Sequence, residues 1–147
     1  MVCGQSRPAP GCGSYLPLCA SRGTGDLQQY DVSDPFNPKL TGKVRIGGIV
    51  SKASHPGAKN GALSGGPQMV EISRDGKRVY FTNSSYGAID PQFYPDGIKG
   101  WMVKLDAGAD GGIAFDPKFF VDWPAPHRPH QVRLEGGDCS SDSYCYP

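Results

Sequence analysis

Twenty-one glycines and fourteen prolines are spread through 147 residues, close to one residue in four. Glycine costs a helix interior about 1 kcal/mol relative to alanine, and proline about 3 kcal/mol. A helical bundle is not expected at that density of breakers. Strands joined by tight turns are, because Gly and Pro supply the φ angles that turns demand. Leu, Ile, Val and Phe number 28 together, a share that in a strongly charged chain would signal disorder. Here 15 Lys+Arg against 14 Asp+Glu give a formal net charge of +1, so that signature is incomplete. The expected class is all-β and turn-rich, with a modest core. The same charge balance gives no electrostatic reason to expect nucleic acid or a membrane surface as partner. No apolar run approaches the roughly 18 residues of a membrane-spanning helix, and Tyr15 to Ala20 lacks the basic flank of a signal peptide. Cysteines at 3, 12, 19, 139 and 145 form no Cys-x-x-Cys pair, which leaves a zinc ribbon unsupported.

The chain changes character near residue 22. Residues 1–22 hold three Pro, three Gly and three Cys with no period of 2 or 3.6. They are expected to carry no element and to be disordered or a misassigned start. From Gly23 strand and turn signals alternate. Asp26 to Val32 reads as a strand, broken by Asp34-Pro35 and Asn37-Pro38. Leu40 to Val50 resumes as a strand. Residues 51–66 are polar and Gly-rich, a long exposed loop in which His55 is expected to be solvated. Gln68 to Ser73 and Arg78 to Asn83 form a hairpin across Asp75-Gly76, a pair that accepts positive φ at low cost. Gly100 to Asp106 is a strand, Ala107 to Gly112 a turn, and Phe119 to Trp123 a short strand. Loop follows from Pro124 onward.

A weak echo runs through this pattern. Tyr30-Asp31-Val32 and Lys104-Leu105-Asp106 each end a strand, and Asn37-Pro38-Lys39 and Asp116-Pro117-Lys118 follow 79 residues apart. Repeated strand and turn units of this kind suit propeller blades, which take roughly 40–45 residues each in common repeat families. Residues 24–147 would then supply two to three blades, fewer than the roughly 4–8 that close a ring.

The segment from Gly23 resembles the selenium-binding protein family, which includes copper-containing methanethiol oxidases. Four blocks carry the resemblance. The first is Gly25-Asp26-Leu27-Gln28-Gln29-Tyr30-Asp31-Val32-Ser33-Asp34-Pro35 with Leu40-Thr41-Gly42. The second is Gly65-Gly66-Pro67-Gln68-Met69 running into Asp75-Gly76-Lys77-Arg78, and the third is Gln92-Phe93-Tyr94-Pro95-Asp96. The fourth is His130-Gln131-Val132-Arg133 followed by Gly136-Gly137-Asp138-Cys139-Ser140-Ser141-Asp142. Family members run to several hundred residues, so the resemblance implies the C-terminal third of a β-propeller, with 23–147 as its C-terminal segment. Where the family often places a tryptophan, Ser85-Tyr86-Gly87-Ala88-Ile89-Asp90 has none.

Function is expected to follow the resemblance. The implied parent converts methanethiol, oxygen and water to formaldehyde, hydrogen sulfide and hydrogen peroxide at copper. This segment alone is expected to be inactive, because it lacks the family's upstream cysteine and histidine motifs. The alternatives are a module that binds selenium or a protein without turnover, and an inactive truncated product. Imidazole suits copper, and by resemblance His130 in the His-x-x-Arg block contributes to the metal site. Otherwise it is a hydrogen-bonded loop histidine. Cys139, beside glycines that allow close approach, is a candidate thiol or selenium ligand. A small buried residue with no chemistry is the commoner fate of a free cysteine. Asp138 and Arg133 are candidate partners supporting His130, although such clusters more often cap turns. His127 is expected at the surface, since Pro126 and Pro129 exclude a helix that would align it with His130. No phosphate loop or Gly-x-Gly-x-x-Gly is present.

Overall fold

The computed structural model describes residues 2–4, 18–21, 23–59, 61–84, 92, 94–95 and 97–137, with backbone alone for 2–4 and 18–21. Eight strands make two four-stranded antiparallel sheets, each in sequential order. The first holds β1 (Val2–Gly4), β2 (Leu18–Ser21), β3 (Asp26–Asp31) and β4 (Lys39–Arg45). The second holds β5 (Pro67–Ile72), β6 (Arg78–Asn83), β7 (Gly100–Ala107) and β8 (Ile113–Trp123). A 3-10 turn, Glu135–Gly137, follows β8. The chain is all-β in its described elements. No helix among the described residues is long and apolar enough to cross a membrane.

Two short strands replace the blank expected over residues 1–22. β2 pairs with β3 from Leu18↔Gln29 to Ser21↔Asp26, and β1 pairs with β2 from Val2↔Ala20 to Gly4↔Leu18. They are too short to show a readable alternation, and their order comes from the open edge of β3. β4 stops at Arg45, five residues before the expected end, and Ile46 is bonded instead to the Gly25 carbonyl. β8 begins at Ile113, six residues before the expected Phe119. Asp116-Pro117 is no turn but part of an irregularity between Val103↔Phe120 and Leu105↔Phe115. Lys104, opposite the extra residues, pairs with Asp116 at 2.7 Å. Extra residues in a ladder bend a strand without ending it.

The Asp75-Gly76 hairpin is as expected. Gly76 takes φ +72, its amide donates to the Ser73 carbonyl, and β6 runs over the predicted residues. β6 is buried on both faces from Val79 to Asn83. Its Phe81 packs with Ile72, Trp101, Val103 and Leu105 of the neighbouring strands, each at most 1% exposed. Leu27 and Ile46 join them from the first sheet's side and Leu63 from the loop between the sheets. Full burial of such side chains contributes about 1.5–3 kcal/mol each. β1 and β2 lie against β5, and β4 lies against β8.

Candidate functional site

Antiparallel order gathers four strand ends at one end of the second sheet. Pro67 opposes Asn83, and Gly100 opposes Trp123. The loop 51–66 arrives at this end, and the segment after Trp123 leaves from it.

Asn83 organises this end. Its side chain is fully buried. Nδ2 donates to the Lys99 carbonyl at 2.7 Å and to the Ser64 carbonyl at 3.2 Å. Trp101 Nε1 donates to the same Ser64 carbonyl at 3.2 Å. Two side chains from adjacent strands thus pin one loop carbonyl. Gly65, at φ +132, makes this approach feasible: a Cβ there would fall 2.3 Å from Asn83 Nδ2. Gly100 similarly admits the later segment, since its Cβ would sit 2.4 Å from the His127 carbonyl oxygen. Thr82 Oγ1 donates to the His130 carbonyl at 3.0 Å and ties that segment to β6.

Among the described residues three buried polar side-chain atoms lack a hydrogen-bond partner: Asn83 Oδ1, Ser84 Oγ and His55 Nε2. The first two belong to consecutive residues at the end of β6. The Ser64 and Lys99 that Asn83 holds line a cavity of about 470 Å3, floored by Trp101 and Phe120 and rimmed by Lys52, Lys99 and Asp122.

His55 is not solvated. It is 5% exposed, edge-on to Phe115 at 4.7 Å between ring centres and tilted over Phe120 at 5.2 Å. The Gly57 amide donates to its Nδ1 at 3.0 Å. Nδ1 is therefore the acceptor and Nε2 carries the proton, the reverse of a histidine that offers Nε2 to a metal. Burial pushes its pKa down, against a weaker upward pull from Asp116. His55 is thus a neutral wedge that seats the loop on β8.

Of the predicted site residues, His130 and Arg133 are described. His130 and Arg133 are exposed on the segment after β8, as is His127. The backbone of His130, not its ring, is what Thr82 fixes. Asp138 and Cys139 lie outside the described residues, as does the whole Ser85 to Asp90 block. Among the described residues no three His, Cys, Asp or Glu side chains gather to hold a metal. The described residues alone therefore do not fit a copper centre. Sequence reasoning missed Asn83, Trp101 and Lys99. The glycine pair before β5 was the available signal, since a glycine fits where another side chain crowds the backbone.

Comparison with known proteins extends this picture. The family profile "56kDa selenium binding protein" matches residues 15–145, beginning ahead of the expected boundary at Gly23. Human "Methanethiol oxidase" is 43% identical over 140 residues, covering 80% of this chain and 30% of that protein. "Selenium-binding protein 3" of Arabidopsis thaliana is 39% identical over 146 residues, covering 84% of this chain and 30% of that protein. The crystal structure of a hypothetical selenium-binding protein from Sulfolobus tokodaii superposes with a TM-score of 0.76 at 52% identity, over 98% of this chain and 30% of that one. The chain spans about a third of the length of the proteins it matches. With a profile match across most of its residues and a solved relative of the same build, this chain belongs to the 56 kDa selenium-binding protein family.

Proposed function

We propose that this chain is the C-terminal segment of a propeller protein that oxidises methanethiol to formaldehyde, hydrogen sulfide and hydrogen peroxide with copper. The observation that carries the reading is the 43% identity with human methanethiol oxidase. Copper would supply the redox chemistry and a soft partner for the thiol sulfur. The described residues do not gather a ligand set of their own, and His130 is the candidate ligand among them. The segment's own part is to hold the His130 loop in place. Thr82 fixes the His130 backbone, and Gly100 lets the preceding turn lie flat against β7. On its own the 147-residue chain is expected to show no turnover.

A chimera tests this reading. Residues 23–147 replace the matching segment of human methanethiol oxidase, and bound copper and released hydrogen sulfide are measured. Retention of both, with copper lost in a His130→Ala chimera, is the expected result. A folded chimera that holds copper equally well with and without His130 would remove this residue from the site.

A second reading, selenium binding without turnover, draws on the relatives named selenium-binding proteins. Thiol-dependent selenium uptake by the chimera, abolished in Cys139→Ser and unaccompanied by peroxide, would favour it.

A further inference from the structure

The cavity at the loop end of the second sheet plays no part in the reading above. Its volume of about 470 Å3 lies in the range of small-molecule sites, roughly 300–1,000 Å3. Methanethiol, with two heavy atoms, is far too small to fill it.

Its walls divide by chemistry. Phe120, Ile98 and the edge of Trp101 form the apolar part. Two cations, Lys52 and Lys99, come from different loops and stand at the rim with one carboxylate, Asp122. The wall is also built to keep its shape. The Ser64 and Lys99 carbonyls are held by Asn83, and Trp101 is held by its bond to Ser64. His55 stacks behind Phe120 and seats the opposite loop. A preformed pocket loses less ordering entropy on binding than one that must assemble.

From the apolar wall, the cationic rim and the rigid backing, we propose that this cavity binds a small organic anion with a flat apolar body, of the aromatic carboxylate class. The body lies against Phe120 and Ile98, and the carboxylate faces Lys52 and Lys99. Asp122 on the same rim disfavours a second negative group, so a monoanion fits better than a dianion.

The test is a proton–nitrogen NMR titration of the 147-residue chain with 2-naphthoate, 2-naphthamide and 2-naphthylmethylammonium. Saturable shifts are expected with 2-naphthoate at the Trp101 indole N–H and at the Ser64, Gly65 and Lys99 amides. The neutral amide should bind several-fold more weakly and the cation least of all. Each exposed ion pair contributes up to about 1 kcal/mol. The Lys52→Met, Lys99→Met double variant should therefore weaken 2-naphthoate about tenfold while leaving 2-naphthamide unchanged. Ala62→Trp fills the cavity from an exposed wall position and should abolish binding of both. Three results would each overturn the proposal. One is no saturable shift with 2-naphthoate. Another is equal affinity for the acid and its amide. The third is wild-type binding by both folded variants. None of them depends on copper or oxidase activity.

Discussion

The two sheets share one plan and are held together differently. Each is a four-stranded antiparallel meander, and the sequence echo of 79 residues marks the last two strands of both. In the second sheet β6 is buried on both faces, and six of the nine residues of the main core cluster lie on its strands. In the first, where side chains are described for β3 and β4 alone, Leu27 is the one described strand residue in that cluster, while Phe36 and Leu40 stand 97% and 53% exposed. Charge there converges on one carboxylate. Asp26 accepts from Thr24 at 2.8 Å and pairs with Arg45 at 3.0 Å and Lys43 at 3.1 Å. Among the described side chains, similar local hairpins thus yield one sheet fixed mainly by packing and another whose β3–β4 pair is also tied by a buried carboxylate. The buried polar cluster and the cavity occur on the packed one. That is physically sensible, because a positioned site needs rigid support.

Truncating the packed sheet should have the largest effect. Phe81→Ala removes a fully buried ring from the centre of β6 and should cost about 3–5 kcal/mol, read from the urea midpoint. Leu40→Ala on β4 should stay within about 0.5 kcal/mol. Equal losses would erase the distinction between the sheets.

Next comes the polar cluster. Asn83→Ala removes the side-chain donor to the Lys99 carbonyl and one of the two donors to the Ser64 carbonyl and should cost about 1–3 kcal/mol. Amide exchange at Gly65 and Lys99 should speed up more than in β3. An unchanged exchange pattern would mean that Asn83 does not hold the loop.

Acid should separate the sheets. The folded-state pKa of His55 lies below its ordinary value through burial, so protons bind the unfolded chain more readily. Its stabilising share is complete above the unfolded value of about 6.5 and declines as pH falls through the folded value. The second sheet's loop should loosen first, and His55→Gln should remove that phase. Asp26 behaves differently. Burial raises its pKa, but the bonds from Arg45, Thr24 and Lys43 together outweigh that and hold it below the carboxylate range. Its contribution is present above the unfolded value of about 3.9 and is lost as pH falls through the lower folded value. Exchange profiles at stepped pH check the order, and simultaneous loosening of both regions would contradict it. The smallest effect belongs to Phe36→Ser, within about 0.5 kcal/mol by urea denaturation, because this ring already faces water.

What was legible in the sequence was local. The Asp75-Gly76 hairpin, the span of β6 and the all-β class follow from turn chemistry and composition, which act over a few residues. What was not legible was contact across distance. His55 looks solvated among glycines and polar residues, yet Phe115 and Phe120, some 60 positions later, cover it. Asp116-Pro117 reads as a turn until Lys104 on the neighbouring strand is seen to hold Asp116 inside the ladder. The polar cluster at Asn83 joins residues 64, 83, 99 and 101, which no single periodicity connects. Likewise His130 stood out through its family block, whereas the hydroxyl that fixes its backbone lies 48 residues earlier, on Thr82.

The central claim is that the second sheet is the rigid platform and the first the weaker partner. Native-state hydrogen exchange of the 147-residue chain tests it most directly. The account predicts that amides of Val79 to Thr82 and Met102 to Leu105 are the slowest to exchange and are released together. Those of Gln28 to Asp31 and Thr41 to Arg45 should exchange earlier through a smaller opening. Equal or greater protection in the first sheet would contradict it.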